Sequence, residues 1–420
     1  MRTQFSEFGN LRVNSDRLWA RHMEMARIGA IPGDGNCRLA MSDADGAART
    51  LFAGWCRAAG LTLHTDRAGN MFAIRPGRDT TRPLVASGSH LDTQPHGGRF
   101  DGISGVLAAL EVVETLNDAG IETEAPLVVI NWTNEEGVRF APGLMGSAWF
   151  CGEMGDDDLA AITDADGTSF EHEALRLGWA GQALPADLSL GAFIELHIEQ
   201  GPRLEAADRQ VGIVTSVQGL RWLDVTVTGA DAHAGTTPLD LRRDALLAAA
   251  TMLVRLNEAG RACDQDARVS VGRLETATNG PSTIVGEARF VIDLRHPDAA
   301  TLAQLAATSR AICAEVAMAA GCTAIVAERV SVPPRAFDPG LVDSLEAAAA
   351  SLGYRHMRIA SGALHDACNV AKIAPTAMVF VPCRDGISHN VAEYASPEDL
   401  AAGASVLLHG VLAAAGARGD

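Results

Sequence analysis

The chain has 420 residues, which is long enough for two or three domains and a large core. Apolar residues make up 47% of the sequence and aromatic residues 5%, so we expect a mainly aliphatic core. The 34 basic and 52 acidic residues give a net charge of −18, and this excess, spread along the chain, argues against a nucleic-acid partner.

Cysteine spacing and hydropathy indicate the cellular environment. The eight cysteines are scattered, without a C-x-x-C pair or the spacing of a disulfide scaffold, so we expect reduced thiols. The first residues contain no apolar run suited to a signal peptide, and no stretch reaches the roughly 18 uncharged apolar residues of a membrane span. We therefore expect a soluble, cytoplasmic protein without a membrane partner.

The first half of the chain alternates predicted strands and helices. After one or two helices and a strand pair in the first 80 or so residues, the apolar run 83–90 predicts a buried strand. Apolar residues at helical spacing from Ile103 to Leu116 predict a helix that packs one face on a sheet. The runs 125–133 and 192–201 predict two further strands, and this order favours βαβ units in a mostly parallel or mixed sheet.

The pattern changes from about residue 211. A β-β-α-β-β-α-β succession, with helices at about 238–259 and 300–319, suits an antiparallel sheet carrying two helices on one face. Beyond about 330 the chain returns to a helix, a strand at 378–383 and a final helix from about 397. We therefore predict the α/β class: a catalytic domain formed by 1–212 and 330–420, with an α+β domain inserted at 213–329.

Side chains that can bind metal follow the predicted strands. GSHLDTQPHGGRFDG (88–102) contains His90 and Asp101, and NEEG (134–137) contains Glu135 and Glu136. Each falls where a strand runs into a Gly-rich loop, the end at which an α/β sheet exposes side chains to a ligand. Because imidazole and carboxylates form catalytic divalent-metal sites, the sequence predicts a metal-dependent hydrolase.

Each of these residues also has an ordinary structural explanation. His90 could satisfy local hydrogen bonds, Asp101 could cap the following helix, and His197, inside an apolar strand, could be a core histidine. Glu135 and Glu136 could be a solvated pair. Since adjacent residues on extended backbone point to opposite sides, however, one carboxylate could bind metal while the other faces an attacking water.

The motifs GSHLDT, GGRFDG, NEEG, HIEQG, AHAG and GISHN follow one another in this order. From about residue 15 to the C-terminus, the chain resembles the hydantoinase/carbamoylase branch of the M20-type metalloamidases. That branch contains N-carbamoyl-L-amino acid hydrolases, β-ureidopropionases and allantoate amidohydrolases. The resemblance implies a metallopeptidase-like catalytic domain, an inserted lid and dimerisation domain, and hydrolysis of a linear amide or ureido C–N bond. The expected substrate is an N-carbamoyl amino acid, which would yield an amine, CO₂ and ammonia.

The resemblance also implies the role of each metal-site residue. Two divalent ions would be held by five ligands, with Asp101 bridging them: His90, Asp101, Glu136, His197 and His389. Glu135 would be the general base, and Asp92 the carboxylate that orients a ligand imidazole from behind. Without a thiolate, these donors suit Zn²⁺, Mn²⁺, Co²⁺ or Ni²⁺ equally.

Substrate contacts are implied in the same way. His233, in the lid domain, would reach the active site of the partner subunit in a homodimer and stabilise the oxyanion. Gln200 and Arg295 would hold the amide and carboxylate of a small substrate, since a guanidinium suits a carboxylate. His365 in SGALHDA would lie in the same pocket.

The chain departs from the family pattern at two positions. Ser282 stands where the family usually has Asn, and Leu364 stands where it commonly has Gly before the His. Serine has a shorter reach than asparagine, and leucine narrows a spot where glycine lets a substrate approach the backbone. The sequence therefore predicts an intact metal centre with an altered substrate pocket.

Other functions are weighed against this one. A thiol amidase would need an activated cysteine, and Cys383, six residues before His389, has only Lys372 as a lysine partner. A serine hydrolase would need G-x-S-x-G, whereas the chain has only GISG at 102–105. A binding or scaffold dimer would be expected to have lost ligands or the base. An N-acyl amino acid amidohydrolase or dipeptidase, or an allantoate amidohydrolase, stays open because Ser282 and Leu364 lie where the substrate is recognised.

Overall fold

The structure is a computed structural model, and it describes residues 8–181 and 188–418. The chain divides into two compact units. The first unit comprises the described residues of Met1–Thr215, Phe337–Ile359 and Ala363–Asp420, and the second comprises Ser216–Ala336 and Ala360–Gly362. The second unit thus starts and ends a few residues later than the inserted domain expected at 213–329, and it also includes a short segment from further along the chain.

Helices and strands follow one another along the described residues. The α-helices are Ser15–Met25 (α1), Asp43–Ala58 (α2), Ile103–Asp118 (α3), Met145–Phe150 (α4), Asp156–Ala161 (α5), Phe170–Leu177 (α6), Arg203–Ala206 (α7), Ala245–Cys263 (α8), Ala299–Ala319 (α9), Pro339–Ser351 (α10), Ala367–Val370 (α11) and Pro397–Ala415 (α12). The β-strands are Ala30–Ile31 (β1), Gly35–Asn36 (β2), Thr62–Thr65 (β3), Met71–Arg75 (β4), Leu84–His90 (β5), Glu122–Thr123 (β6), Leu127–Trp132 (β7), Leu190–Ile198 (β8), Val211–Val217 (β9), Gly219–Thr228 (β10), Ala232–His233 (β11), Arg268–Thr276 (β12), Thr283–Ile284 (β13), Glu287–His296 (β14), Thr323–Val332 (β15), Arg335–Ala336 (β16), His356–Ser361 (β17), Thr376–Val381 (β18) and Ala417–Arg418 (β19).

The main sheet of the first unit has the strand order β9-β18-β8-β5-β7-β4-β3, and β17 also pairs with β9. The central strands β18, β8, β5 and β7 are parallel. The outer strands β9, β4 and β3 pair antiparallel to their neighbours. The predicted mixed sheet is confirmed, and the carboxyl ends of its four parallel strands meet at one edge.

The central strands form because they are continuous apolar runs that are buried along their length, as in β5, β7 and β18. Helices α3 and α12 pack against this sheet. Helix α12 begins with Ser396 as its N-cap and Pro397 in its first turn, both typical of helix starts. It is long and apolar enough to cross a membrane, but 72% of its most apolar 18-residue window is buried, as in a core helix.

The second unit is built on an antiparallel sheet of order β12-β14-β10-β15. Helices α8 and α9 pack on the sheet, and the inward-facing residues of its strands join them in one hydrophobic core. The predicted start of the first helix, at about 238, is wrong. Helix α8 begins only at Ala245, because Leu239–Leu241 forms a separate 3₁₀ turn and the Asp244 side chain caps the helix by accepting from the backbone N–H of Leu247.

Candidate metal centre

The parallel strands bring the predicted ligands to one edge of the main sheet. His90 is the last residue of β5, and His197 precedes the last residue of β8. Glu135 and Glu136 follow β7 after a short turn, and His389 lies in the loop after β18. Because these strands are parallel neighbours, residues far apart in sequence meet at their carboxyl ends.

Asp101 lies at the centre of this cluster and contacts histidines through both carboxylate oxygens. Its Oδ1 is 3.1 Å from His197 Nε2 and 3.7 Å from His90 Nε2. Its Oδ2 is 3.3 Å from His389 Nε2, which in turn is 3.6 Å from Glu136 Oε2. Two groups of three donors therefore share Asp101, and the donor atoms within each group lie within 4.8 Å of one another. This arrangement of imidazoles around a shared carboxylate fits two divalent ions.

The main chain orients the two buried imidazoles. His90 Nδ1 lies 2.9 Å from the carbonyl oxygen of Asp92, and His197 Nδ1 lies 2.9 Å from that of Ile198. A carbonyl only accepts, so each Nδ1 carries a hydrogen, and this contact turns each Nε2 towards Asp101. The Asp92 carboxylate lies 3.8 Å from His90 Nδ1 and accepts from the backbone N–H groups of Glu135 and Glu136.

Local structure rules out the simple capping role for Asp101. The N-cap of α3 is Gly102, with φ of 71° and no side-chain cap bond. A Cβ at Gly102 would lie 2.2 Å from Cε1 of His90, so this position needs glycine both for its backbone conformation and for the imidazole beside it. The loop therefore leaves the Asp101 carboxylate free for the cluster.

Glu135 is enclosed rather than solvated. Its side chain is 12% exposed, and its Oε2 lies 3.6 Å from His90 Nε2. Burial, together with the negative charges of Asp366 and Glu136, raises the pKa of Glu135 well above its usual range. A carboxylate with raised proton affinity at the edge of the donor cluster is suited to accept and return a proton.

The ligand candidates have strongly shifted proton affinities. Burial lowers the pKa of His90 to about 4. Burial also opposes a charge on His197, but the contact with Asp101 outweighs it and raises the pKa of His197 to about 9. Asp101 likewise raises the pKa of His389 to about 9. Although burial favours the neutral acid, hydrogen bonds from these two histidines hold the pKa of Asp101 well below its usual range.

Two glutamines stabilise the carboxylates of the cluster. The Gln94 amide donates to Glu136 Oε2 at 2.6 Å, a contact that sequence reasoning missed. The Gln200 amide, assigned above to substrate binding, donates to Asp101 Oδ2 at 2.8 Å. In the structure, Gln200 therefore belongs to the hydrogen-bond network around Asp101.

A buried group behind His197 contains His365 and a carboxylate that sequence reasoning missed. The rings of His365 and His197 have centroids 4.5 Å apart. Glu195 accepts from the Ser89 hydroxyl at 2.7 Å and from the backbone N–H of Ala367 at 3.1 Å. Its position two residues before His197 on one strand places both side chains on the same face, and this alternation was the available signal. Leu364, next to His365, is 37% exposed.

The second unit holds the other predicted site residues. His233 is exposed, and its Nδ1 accepts from the backbone N–H of Gly235 at 3.1 Å. The carbonyl of Ser282 accepts from the N–H of Ala234 at 2.8 Å, and Ser282 directly precedes β13, the strand that pairs with the one holding His233. Arg295 lies near the C-terminal end of β14, where it donates to Asp293 and to the carbonyl of Gly362. The structure brings His233 and Ser282 together but keeps Arg295 apart from them.

The cysteine alternative is disfavoured by the environment of the thiol. Cys383 is fully buried, and this burial raises its pKa to about 12. A nucleophilic cysteine needs a lowered pKa and access to a substrate. Cys383 is better described as a small apolar residue of the core.

A mixed α/β sheet with a shared-carboxylate donor cluster at its edge defines the class of metal-dependent hydrolases. The chain matches the model of peptidase family M20/M25/M40 over residues 86–413, and it belongs to this family. It is 46% identical over 407 residues to the N-carbamoyl-L-amino-acid amidohydrolase of Rhizobium meliloti, with 96% of this chain and 97% of that protein covered. The ureidoglycolate hydrolase of Arabidopsis thaliana is 32% identical, with 95% and 86% covered. A solved amidase of the hydantoinase/carbamoylase family from Burkholderia multivorans is 47% identical, with a TM-score of 0.92 and 96% and 98% covered.

Proposed function

We propose that the protein hydrolyses the ureido C–N bond of an N-carbamoyl amino acid and releases the amino acid, CO₂ and ammonia. The observation that carries this proposal combines two features. Two donor groups share Asp101 beside the buried base Glu135, and the chain is 46% identical to an N-carbamoyl-L-amino-acid amidohydrolase. The first feature supports metal-assisted hydrolysis, and the second supports the substrate class.

We assign the metal ligands as His90, Asp101, Glu136, His197 and His389. Zn²⁺, Mn²⁺, Co²⁺ and Ni²⁺ all suit this mixture of imidazole and carboxylate. When bound, two such ions supply Lewis acidity towards the substrate carbonyl and the attacking water. Elemental analysis is expected to find about two divalent ions per chain, and chelation is expected to abolish turnover reversibly. Full activity in chelator, with no bound metal, would contradict the assignment.

Glu135 carries the proton in the proposed mechanism. Its carboxylate accepts a proton from the attacking water as the new C–O bond forms at the ureido carbon. It then returns this proton to the amine nitrogen as the C–N bond breaks. The other product, carbamic acid, decomposes to CO₂ and ammonia, so one water is consumed for each amino acid released.

The second unit would supply the groups that bind the substrate and the oxyanion. We assign Arg295 to the substrate carboxylate, with Ser282 close to His233 as the altered pocket position. Because His233 Nδ1 accepts a hydrogen bond from Gly235, the hydrogen lies on the exposed Nε2, which could donate it to an oxyanion.

We further propose a homodimer formed through the second unit. From Glu287, close to the strand that holds His233, to Arg295 the chain advances eight residues, or roughly 26 Å at about 3.3 Å per residue. A small substrate cannot contact both residues of one chain over this distance. Two copies could supply one residue each to a shared site, which supports the assignment of His233 to the partner's active site.

We place the enzyme in the cytoplasm, because its eight cysteines are scattered without the spacing of a disulfide scaffold. Persistent free thiols are typical of a reducing compartment. Fractionation of the native host is expected to recover the activity with cytoplasmic markers.

A metal-reconstituted activity screen tests the proposed reaction. The substrates are N-carbamoyl, N-formyl and N-acetyl amino acids, β-ureido acids, allantoate and ureidoglycolate, with ammonia and free amine measured separately. We expect both products from N-carbamoyl amino acids. Amine without ammonia would instead support an N-acyl amino acid amidohydrolase or dipeptidase, and a preference for allantoate would support an allantoate amidohydrolase.

A further inference from the structure

Glu393 is a buried carboxylate that links the two loops on either side of the donor cluster. It is 2% exposed and lies in the same loop as His389. Its Oε1 accepts from the backbone N–H groups of Phe100 and Asp101, each at 3.0 Å. Its Oε2 is 3.1 Å from the hydroxyl of Ser388, which lies 3.0 Å from Asp101 Oδ2. One side chain therefore contacts the Asp101 segment directly and through Ser388.

The loop that leads to Asp101 leaves space for the Glu393 carboxylate at Gly98. A Cβ at Gly98 would lie 2.1 Å from Glu393 Oε1 and 2.2 Å from its Cδ. Any other residue at Gly98 would displace the carboxylate from the two backbone N–H groups. Gly98, the second residue of GGRFDG, thus leaves space for Glu393. No sequence pattern within either loop indicates this contact.

The two donor groups differ in how they are supported. His90 and His197 are at the ends of central strands, and both side chains are buried. His389 lies on a loop, and its side chain is 49% exposed. The group of Asp101, Glu136 and His389 therefore depends more on contacts that hold the loops in place.

We propose that Glu393 is a positioning residue that assembles the donor group of Asp101, Glu136 and His389. It does so by fixing the Asp101 loop against the loop that carries His389, directly through two N–H groups and indirectly through Ser388. This inference rests on the proposed metal-ligand assignment and deepens it. Loss of such an outer contact weakens metal affinity by about 10-fold to 100-fold.

Two variants of Glu393 separate the effect of its side-chain length from the effect of its negative charge. Glu393→Asp keeps the carboxylate but is one methylene shorter, so it cannot contact both the N–H groups and Ser388. Glu393→Gln keeps the length: its Oε1 can accept from both N–H groups and its amide can donate to Ser388. We expect Glu393→Asp to weaken binding of the ion held by Asp101, Glu136 and His389 by at least about tenfold. The ion held by His90, Asp101 and His197 should be affected less, because both of its histidines lie at the ends of central strands. Glu393→Gln should stay within a few-fold of the wild type for both ions.

Equilibrium dialysis of the full chain against Co²⁺ measures both affinities, and the Co²⁺ absorption spectrum reports the donor geometry independently of turnover. Glu111→Asp is the matched control, because Glu111 is a fully buried carboxylate that accepts from the backbone N–H of Asn14 at 3.0 Å away from the cluster. It should leave both affinities unchanged.

Three results discriminate between the explanations. Wild-type affinity for both ions in Glu393→Asp would overturn the proposal. Weakened binding in Glu393→Gln but not in Glu393→Asp would also overturn it, because charge rather than reach would then matter. If the wild-type protein itself binds no Co²⁺, the ligand assignment fails, and that failure is visible before any variant is compared.

Discussion

The two units hold their functional residues in different ways. In the first unit, Asp101 is buried, contacts several side chains of the cluster and lies beside imidazoles already oriented by the main chain. In the second unit, His233 is exposed and Arg295 has contacts typical of a half-buried surface arginine. The reactive groups are thus organised within one chain, whereas the groups assigned to substrate and oxyanion are exposed or half-exposed. Preorganisation of the first kind is what catalysis requires of a base and its neighbouring ligands.

The largest effect should come from replacing the base in the organised region. Glu135→Gln removes the proton acceptor but keeps nearly the same shape, so kcat should fall by about 10²-fold to 10⁴-fold with both ions retained. Steady-state kinetics with metal analysis checks this. Glu136→Gln, at the adjacent position, is the matched comparison and should instead weaken metal binding. Near-native activity in Glu135→Gln would show that the roles of the two glutamates are wrongly assigned.

Replacing the exposed His233 of the second unit should lower kcat almost as strongly if this residue completes an active site. His233→Ala should lower kcat by about 10²-fold to 10³-fold, the loss typical of removing one oxyanion donor. His172→Ala is a control, since His172 is also exposed but lies on α6 in the first unit. Kinetics at saturating metal separate this effect from weaker ion binding.

Subunit mixing tests whether His233 acts across a dimer. In a mixed dimer of His233→Ala and Glu135→Gln chains, an exchange of His233 between subunits leaves one of the two sites with both residues intact. Activity should therefore return on mixing. If labelled chains exchange but no activity returns, His233 acts in its own chain or outside catalysis.

Metal binding by the donor cluster of the first unit should depend on pH, and the residues of the second unit should not contribute to this dependence. Burial opposes a charge on both imidazoles, but Asp101 outweighs it and raises the pKa values of His197 and His389 to about 9, so both are positively charged at neutral pH. Because a ligand must be neutral to bind metal, ion binding should release protons. Affinity should then rise by about tenfold per pH unit for each proton released, up to about pH 9, and level off above it.

Calorimetric titration with Mn²⁺ in buffers of different ionisation enthalpy measures the number of protons released. Arg295→Ala, in the exposed region, should leave this number unchanged. An affinity independent of pH between 7 and 9 would show that Asp101 does not hold protonated histidines in this way.

The elements and donors of the first unit could be predicted because their signals are local. The run 83–90 became β5, and the apolar spacing from Ile103 to Leu116 became α3, since burial on a sheet requires these patterns. His90 could be placed at the sheet edge because a parallel strand must end there. The start of α8 was missed because apolar residues such as Leu239 continue the helical pattern through a turn that is not part of the helix.

Contacts between distant loops could not be predicted in this way. Glu393 accepts from the N–H groups of residues more than 290 positions away, and backbone N–H groups carry no residue-specific signal. Gln94 likewise contacts Glu136 from another loop. Such hydrogen bonds depend on the packed geometry of the whole unit, so they become visible only when the fold is known.

The smallest effect on activity should come from Leu364, which lies next to the buried His365 in the first unit. This side chain is 37% exposed beside the buried His365, so its removal creates little cavity and should cost little stability. If it narrows the substrate pocket, Leu364→Gly should shift the ratio of kcat/KM values towards standard N-carbamoyl substrates by a few-fold to about tenfold, the scale of one apolar group in a pocket. Competition between paired substrates measures this ratio directly. Ile373→Gly, which removes another exposed apolar side chain, is the matched control. An unchanged ratio in Leu364→Gly would mean that the leucine is a structural departure and that specificity is determined elsewhere in the site.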